Sequence, residues 1–235
     1  LLLVSRRGTL PTAAVRALRE DGAHVRASRC DVGEATEWRT LSAGAWHELP
    51  ALGTIWHAAG VLADAIFAGQ SAESLRFSYR PKAFGASNVH RSLTSVPLQA
   101  CVFFSSIAAL LGGAAQANYA AANEALDALA LSRRSVGRVA SSVQWGPWAG
   151  SGMAANDSIS SRMKGMGLGM IDAWQGMAAL NAAVCTPDVT VQSCMIMRWD
   201  ILLRFGVPPL LTSFGRFAAA EPTAMTIEPQ AVATP

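Results

Sequence analysis

Short apolar segments alternate with helix-like segments along most of the chain, and this alternation constrains the fold more than any other feature. Continuous apolar runs, such as residues 1–5, suit strands that are buried on both faces of a parallel sheet. Strands that alternate with helices predict an α/β fold with a doubly wound parallel sheet. The predicted strands are 1–5, 25–30, 54–59, 100–104, 139–144 and 189–197, and the predicted helices are 11–21, 35–47, 72–92, 117–134 and 174–184.

Local signals refine the boundaries of these elements. Pro81 falls inside predicted helix 72–92 and is expected to kink or interrupt it, because proline has no backbone N–H. Asp172 precedes predicted helix 174–184 and is placed to cap its N-terminus. The segment 154–170 is rich in Gly, Met and Ser, and we predict a mobile excursion there.

The composition changes after Phe217, where Ala, Pro, Thr and Glu replace the apolar periodicity. Such a segment has the character of a linker, because it supplies too few periodic apolar side chains to build a core. We therefore interpret residues 1–217 as a folded domain and residues 218–235 as a linker toward a following domain.

The composition also excludes several classes of protein. Of the 235 residues 51% are hydrophobic and 15% are charged, which excludes a disordered solvating segment. The net charge of +3, without a basic stripe, predicts no nucleic-acid partner. No apolar run approaches the ~18–20 residues of a membrane-spanning helix. The four cysteines have no metal-ligand spacing, so we expect free thiols, no metal site and a cytoplasmic location.

Two side chains of the central region, the Ser106 hydroxyl and the Tyr119 phenol, could converge on one carbonyl group. Tyr119 and Asn123 are four residues apart in a predicted helix, so their side chains share one face. Ser106 follows a predicted strand, and ligands bind at the carboxyl ends of strands in a parallel sheet. Taken alone, Ser106 is more often a local cap and Tyr119 more often an ordinary core residue.

Lysine is scarce in this chain, since Lys82 and Lys164 are the only two. Taken alone, Lys82 is more often a solvated lysine on a helix surface, and we interpret Lys164 in that way.

Most of the chain resembles the ketoreductase domain of modular polyketide synthases, a branch of the short-chain dehydrogenase/reductase superfamily. That branch exchanges the positions of the catalytic Lys and Asn, as this chain does with Asn four residues after Tyr. The match runs in order from residue 1 to about Met153 and more loosely to about Leu211. The motifs that carry it are Lys82, Ser106, Tyr119 and Asn123 together with Ser5-Arg6-Arg7-Gly8, Cys30-Asp31-Val32, His57-Ala58-Ala59-Gly60-Val61-Leu62 and Gln144-Trp145-Gly146-Pro147-Trp148.

The resemblance implies an enzyme that reduces a β-ketoacyl thioester to the β-hydroxyacyl thioester during polyketide chain extension. Tyr119 would donate the proton, Ser106 would hydrogen-bond the substrate carbonyl, and Asn123 would orient Lys82. Hydride addition develops negative charge on oxygen, which preorganised donors stabilise. The phenol pKa of roughly 10 must fall toward neutrality, and we expect the Lys82 cation to lower it.

The resemblance places the cofactor along the ends of the first strands, with Ser5, Asp31 and Val32 beside the adenosine. Arg6 and Arg7 would bind the 2′-phosphate, which favours NADPH over NADH because guanidinium groups pair with phosphate bidentately. The small residues of the third strand end, which are Ala58, Ala59 and Gly60, would let the cofactor approach the backbone.

A marker of product stereochemistry follows at Leu62-Ala63-Asp64. The family associates a Leu-Asp-Asp triplet with the B type, which gives a D-configured β-hydroxyl, and this chain keeps Leu62 and Asp64. We therefore predict the B type. The resemblance also assigns four further residues to the substrate side, which are Gln116, Trp145, Gly146 and Met153.

The family's glycine-rich pyrophosphate loop has no counterpart in residues 1–235. In the family it precedes the Ser-Arg-Arg motif, with a first strand that lies at the middle of the sheet. We therefore expect an N-terminally truncated fragment of a multidomain synthase. The expected partners are neighbouring synthase domains in the same polypeptide and an acyl carrier protein with a phosphopantetheine-bound chain. Two alternatives stay open, a catalytically silent domain kept for structure or docking and the reductase of a type I fatty acid synthase.

Overall fold

The computed structural model describes residues 1–9, 11–150, 157–186 and 188–217. The chain divides into a main unit, Leu1–Gly146 with Ile171–Met195, and a second unit, Pro147–Met170 with Ile196–Pro235. The candidate residues named above lie in the main unit, except Met153, which is outside the described residues. The predicted linker 218–235 is outside them as well.

Strands and helices alternate along the chain as the apolar pattern predicts. The strands are β1 (Leu2–Ser5), β2 (Arg26–Arg29), β3 (Thr54–His57), β4 (Ala100–Ser106), β5 (Ser141–Trp145), β6 (Leu168–Gly169), β7 (Val191–Cys194) and β8 (Ile196–Met197). The α-helices are α1 (Thr12–Glu20), α2 (Ala35–Glu48), α3 (Ala72–Tyr79), α4 (Gly85–Ser92), α5 (Ile107–Leu111), α6 (Ala117–Ser135), α7 (Asp157–Gly165), α8 (Ala173–Cys185) and α9 (Trp199–Leu202). Short 3-10 segments occur at Phe67–Gly69 and Pro209–Phe217, and a π-helical turn occurs at Arg80–Phe84.

The main unit is built on parallel strands, which confirms the predicted α/β class. Strands β3, β4, β5 and β7 form one parallel sheet in that order, and β1 pairs with β2 in a second parallel sheet. Among the described residues, β1 and β3 belong to different sheets, whereas the sequence predicts a single one. The expectation of a further strand at the middle of the sheet stays a prediction.

Two apolar clusters hold the main unit together. One joins α4, β4 and α6, and its fully buried members include Ala86, Phe103 and Leu126. The other is centred on Cys30, Trp38, Val89 and Leu93, and both Val4 of β1 and Ile55 of β3 pack against it. Full burial of such a side chain contributes roughly 1.5–3 kcal/mol, so these clusters fix the strand ends that carry the candidate residues.

Three local predictions can be compared with the structure. Asp172 caps α8, since its carboxylate accepts the backbone N–H of Gln175 at 2.7 Å, which confirms the predicted cap. Predicted strand 189–197 is wrong as one strand, because it divides at Met195 and its second part, β8, pairs with β6 in the second unit. The described part of the predicted mobile excursion 154–170 contains α7 and β6, with Gly167, at φ +85°, between them.

Candidate active site

Ser106 ends β4 and begins α5. Its hydroxyl accepts the backbone N–H of Ala108 at 3.2 Å, so it is a local helix cap. The side chain is nevertheless only partly buried and interacts with the Tyr119 phenol. Ser106 can therefore cap α5 and still act in the site, because a hydroxyl group can accept one hydrogen bond and donate another.

Helix α6 presents Tyr119 and Asn123 on one face, as their spacing predicts. Tyr119 is 7% exposed and Asn123 is fully buried. The Asn123 amide donates to the Tyr119 carbonyl at 2.7 Å, and the Ser105 hydroxyl donates to the Asn123 carbonyl at 3.3 Å. These bonds join α6 to β4 and bring Tyr119 beside Ser106.

Lys82 reaches the same place from the π-helical turn between α3 and α4. Its side chain is 3% exposed, and Nζ donates to the Phe104 carbonyl at 2.9 Å. Nζ also lies 5.5 Å from the centroid of the Tyr119 ring. The side chain crosses Gly60, where a Cβ atom would lie 3.0 Å from Lys82 Cε. A solvated surface lysine is thus excluded.

Burial dominates the electrostatics of this pair. It lowers the pKa of Lys82 from 10.5 to about 8, and the negative charge of Asp127 opposes that shift. It also raises the pKa of Tyr119, against opposing hydrogen bonds from the Ser106 and Asn123 side chains, while the Asp64 carboxylate raises it further. The expected fall of the Tyr119 pKa toward neutrality is therefore wrong for this structure, because desolvation of the phenolate outweighs the favourable contacts.

His57 completes the surroundings of Lys82, and the sequence analysis assigned it no role. Its Nε2 lies 3.1 Å from the Lys82 carbonyl oxygen, and its ring meets the edge of Phe103 at 6.3 Å between centroids. Burial and the Lys82 charge lower the pKa of His57 to about 4. Its position directly before Ala58, in the same motif, was the sequence signal that could have identified it.

Asp127 is a second residue that the sequence analysis missed. It is buried one turn beyond Asn123 on α6, where its carboxylate accepts bonds from the Ser142 hydroxyl and, at 2.8 Å, from the Gln144 amide. The Ser193 hydroxyl donates to Gln144 Oε1 at 2.6 Å. This network anchors the face of α6 that carries Asn123 to β5 and β7, and the four-residue spacing of Asp127 from Asn123 was the sequence signal for it.

The predicted stereochemical residues Asp64 and Gln116 contact each other directly. The Gln116 amide donates to Asp64 Oδ2 at 3.1 Å. The Ala65 N–H donates to the carbonyl of Ala115, a residue at φ +64°, so the loops before α3 and α6 are joined. Asn118 reinforces the joint by donating to the Ala63 carbonyl at 2.8 Å.

Trp145, Gly146 and Leu62 were also predicted on the substrate side. Trp145 is buried at the end of β5 with its ring 5.6 Å from that of Phe104, and Leu62 is partly buried in the loop that follows Gly60. Gly146 donates to the Cys194 carbonyl at 2.8 Å, and a Cβ on it would lie 3.2 Å from that oxygen. Trp145 and Gly146 thus support the end of the sheet beneath the site.

The residues predicted to hold the adenosine lie at the ends of β1 and β2. Ser5 closes the turn after β1 by accepting the Gly8 N–H at 3.1 Å, and Arg6 and Arg7 are exposed. Among the described residues, neither arginine has an acidic partner, so both guanidinium groups are available to an anion.

Asp31 and Val32 have local partners. Asp31 accepts the Gly33 N–H at 2.9 Å and pairs with Arg80 at 3.2 Å, and the Val32 carbonyl accepts from Asn88 Nδ2 at 2.9 Å. These contacts fix the loop after β2 against the π-helical turn, so the backbone beside the predicted adenine position is held in place.

Strand β3 ends earlier than the sequence predicts. Strand β3 ends at His57, so Ala58, Ala59 and Gly60 lie in the loop beyond it. The close approach at Gly60 is made by Lys82.

The residues present fit a nicotinamide cofactor. Free guanidinium groups follow β1, small residues follow β3, and a buried ammonium lies beside a phenol. Asn123 Oδ1 is in addition a buried acceptor that no donor reaches within the described residues. Such an orphaned atom at a site is costly unless a partner completes it.

Two further observations concern the described part of the chain. It contains no cluster of His, Cys, Asp or Glu side chains able to hold a metal ion. None of its helices is both long and apolar enough to cross a membrane.

Comparison with known proteins was made at the level of sequence and of structure. A family model described as "KR domain" matches residues 1–150. The chain is 42% identical over 189 residues to polyketide synthase GfsB of Streptomyces halstedii, covering 78% of this chain and 3% of that protein. It is 41% identical to the pikromycin polyketide synthase component PikAII of Streptomyces venezuelae, and the match covers 80% of this chain and 5% of that protein.

Solved structures agree with the sequence relatives. An A-type ketoreductase from a modular polyketide synthase matches with a TM-score of 0.86 and 33% identity, over 94% of this chain and 48% of that one. The ketoreductase from the first module of phoslactomycin biosynthesis in Streptomyces sp. HK803 matches with a TM-score of 0.83 and 33% identity. That match covers 91% of this chain and 50% of the other. The chain thus spans a small part of the curated relatives and about half of the solved chains.

Proposed function

The chain belongs to the KR domain family of polyketide synthases, and on that premise we propose that it reduces β-ketoacyl thioesters with NADPH. The observation that carries the proposal is the convergence of Lys82, Ser106, Tyr119 and Asn123, which three separate elements bring together in the main unit. A domain kept only for structure would gain nothing from burying a lysine beside a phenol, because each buried polar group costs desolvation energy.

The roles of these residues follow from their positions. The Ser106 hydroxyl is accessible enough to donate a hydrogen bond to the substrate carbonyl oxygen. Tyr119, whose raised pKa keeps the phenol protonated, donates its proton to the same oxygen. The Lys82 ammonium then stabilises the phenolate that Tyr119 leaves behind. Asn123 holds α6 in register and offers Oδ1 to a donor within the site.

When bound, NADPH would supply hydride to the carbonyl carbon. Ser5, Arg6 and Arg7 are proposed to hold its 2′-phosphate end, because exposed guanidinium groups pair bidentately with phosphate. Asp31 and Val32 would border the adenine. Ala58, Ala59 and Gly60 are proposed to border the remainder of the cofactor, and the small side chains of Ala58 and Ala59 would leave room for it.

The substrate is proposed to arrive on the phosphopantetheine arm of an acyl carrier protein in the same cytoplasmic assembly line. Leu62, Asp64 and Gln116 would guide the acyl chain, with Met153 beyond them in sequence. The B-type assignment stays a proposal and rests on Asp64, whose contact with Gln116 fixes the loop beside Tyr119.

The intact polypeptide that contains these residues tests the proposal. It should oxidise NADPH in the presence of a β-ketoacyl N-acetylcysteamine thioester and convert that thioester to its β-hydroxy product. It should use NADH far less efficiently. Saturable NADPH binding without turnover would favour a silent domain, and absence of both binding and turnover would overturn the cofactor assignment.

A further inference from the structure

The lysine turn is an irregular piece of helix. At Arg80–Phe84 the Gly85 N–H donates to the Arg80 carbonyl five residues back, which is the hydrogen bond of a π-helix. Pro81 lies within this turn and supplies no N–H of its own. The Gly85 N–H also donates to the Lys82 carbonyl, and a carbonyl oxygen with its two lone pairs can accept a second bond from an outside donor.

His57 is that outside donor. Its Nε2 lies 3.1 Å from the Lys82 carbonyl oxygen. Because a carbonyl oxygen can only accept, Nε2 must carry the proton. The imidazole is 5% exposed and is fixed against the edge of Phe103, and its low pKa keeps it neutral near pH 7.

The fit around the imidazole is close. A Cβ atom on Gly85 would lie 3.1 Å from His57 Cε1 and 2.8 Å from Val32 Cγ2. The helix after the turn therefore approaches the ring through a glycine, and the ring has little freedom to leave the carbonyl.

Lys82 is thus held at both ends by neighbouring strands. The end of β3 holds its backbone through His57, and β4 holds its ammonium through the Phe104 carbonyl at 2.9 Å. The position of Nζ beside Tyr119 depends on both contacts, because the side chain spans the distance between them across Gly60.

We propose that His57 is a positioning residue that fixes the lysine turn by donating its Nε2 proton to the Lys82 carbonyl. This inference rests on the proposed function, since it concerns the placement of Lys82 for proton transfer. A positioning role requires the N–H donor of His57, whereas a packing role requires only the shape of its ring. The two roles therefore predict different effects of substitutions that keep or remove the donor.

Two substitutions in the intact polypeptide separate the donor from the ring. His57→Leu removes the donor, whereas His57→Gln retains an amide N–H at the reach of Nε2. The matched control is His90→Gln on α4, where the histidine nitrogen contacts Arg133 at 3.0 Å rather than the lysine turn. Should His57→Leu fail to fold, His57→Asn, whose shorter amide falls short of the carbonyl, takes its place.

Two readouts are needed, the kinetics of thioester reduction and the reactivity of the Lys82 amine. We expect His57→Leu to lower kcat about 10-fold or more with KM changed less than about 2-fold, because a misplaced lysine affects the transition state rather than binding. Acetylation of Lys82, measured by peptide mass spectrometry, should rise several-fold relative to exposed Lys164. His57→Gln and His90→Gln should stay close to wild type in both measurements.

The outcomes separate this inference from the proposed function. Wild-type kcat and Lys82 acetylation in His57→Leu would overturn the positioning role. So would a folded His57→Gln variant as impaired as His57→Leu, because the ring rather than the donor would then matter. If the wild-type protein reduces no thioester, the proposed function fails, and the acetylation ratios still decide whether His57 controls Lys82.

Discussion

The Lys82 ammonium lies 5.5 Å from the centre of the Tyr119 ring and donates to the Phe104 carbonyl, buried from solvent. Burial shifts the pKa values of these two groups in opposite directions. The pKa of the phenol is raised and that of the lysine is lowered, both by burial. Of the two groups, Lys82 is therefore the first to lose its proton as the pH rises.

The rate of thioester reduction should fall as the pH rises through about 8, the pKa of Lys82. Below that pH the ammonium is charged and stabilises the Tyr119 phenolate, and above it the charge is lost. The measurement is the pH dependence of kcat in wild type and in Lys82→Arg, where the guanidinium does not titrate in this range. We expect the alkaline decrease near 8 to disappear in the variant, and a decrease that persists would assign it to another group.

Gly60→Ala should impair catalysis through steric contact with Lys82. The new Cβ would lie 3.0 Å from Lys82 Cε, so the lysine side chain must shift. We expect kcat to fall about 10-fold, since small displacements of catalytic groups are costly. Gly44→Ala in α2 is the matched control, because a Cβ there meets nothing within 4 Å. Equal activity of the two variants would contradict the close approach at Gly60.

Arg6→Ala and Arg7→Ala should weaken selection of NADPH. Each guanidinium is exposed after β1 and pairs with no acidic group in the described residues. We expect the double variant to raise KM for NADPH by about 10-fold or more and to leave KM for NADH nearly unchanged, because only the first carries a 2′-phosphate. Arg16→Ala, an exposed arginine on α1, is the control. An equal rise in KM for NADPH and NADH would show that Arg6 and Arg7 do not recognise the 2′-phosphate.

Asp127→Asn should move the alkaline limb of the rate profile to lower pH. The negative charge of Asp127 supports the charged form of Lys82, so its removal lowers the lysine pKa further below 8. The carboxylate also accepts bonds from Ser142 and Gln144, and an amide can satisfy only part of them. We expect a loss of about 1–3 kcal/mol in the free energy of unfolding. Glu124→Gln, exposed on the same helix, should change neither quantity.

The sequence could predict residues whose partners are close in the chain or whose roles a motif carries. The shared face of Tyr119 and Asn123 follows from helical spacing, and the Asp172 cap follows from its position before an apolar segment. Both depend on local geometry, which the sequence specifies directly.

Long-range partners could not be predicted in this way. His57 and Lys82 are 25 residues apart and meet because of strand register and the widened turn at Pro81, which the sequence marked only as an interruption. The raised pKa of Tyr119 likewise depends on how deeply packing buries the phenol. Strand β8 leaves β7 for a pairing with β6 that no alternating pattern reveals.

The chain contains two tyrosines, and this allows the central claim to be tested with a matched pair. In the intact polypeptide, reduction of a carrier-bound β-ketoacyl thioester by NADPH is measured by mass spectrometry in Tyr119→Phe and Tyr79→Phe. Tyr119→Phe removes the proton donor and should reduce the rate about 100-fold or more, within the range that general acid catalysis contributes. Tyr79→Phe, which keeps the ring that contacts Phe84, should reduce the thioester at the wild-type rate. Wild-type turnover by Tyr119→Phe would contradict the account.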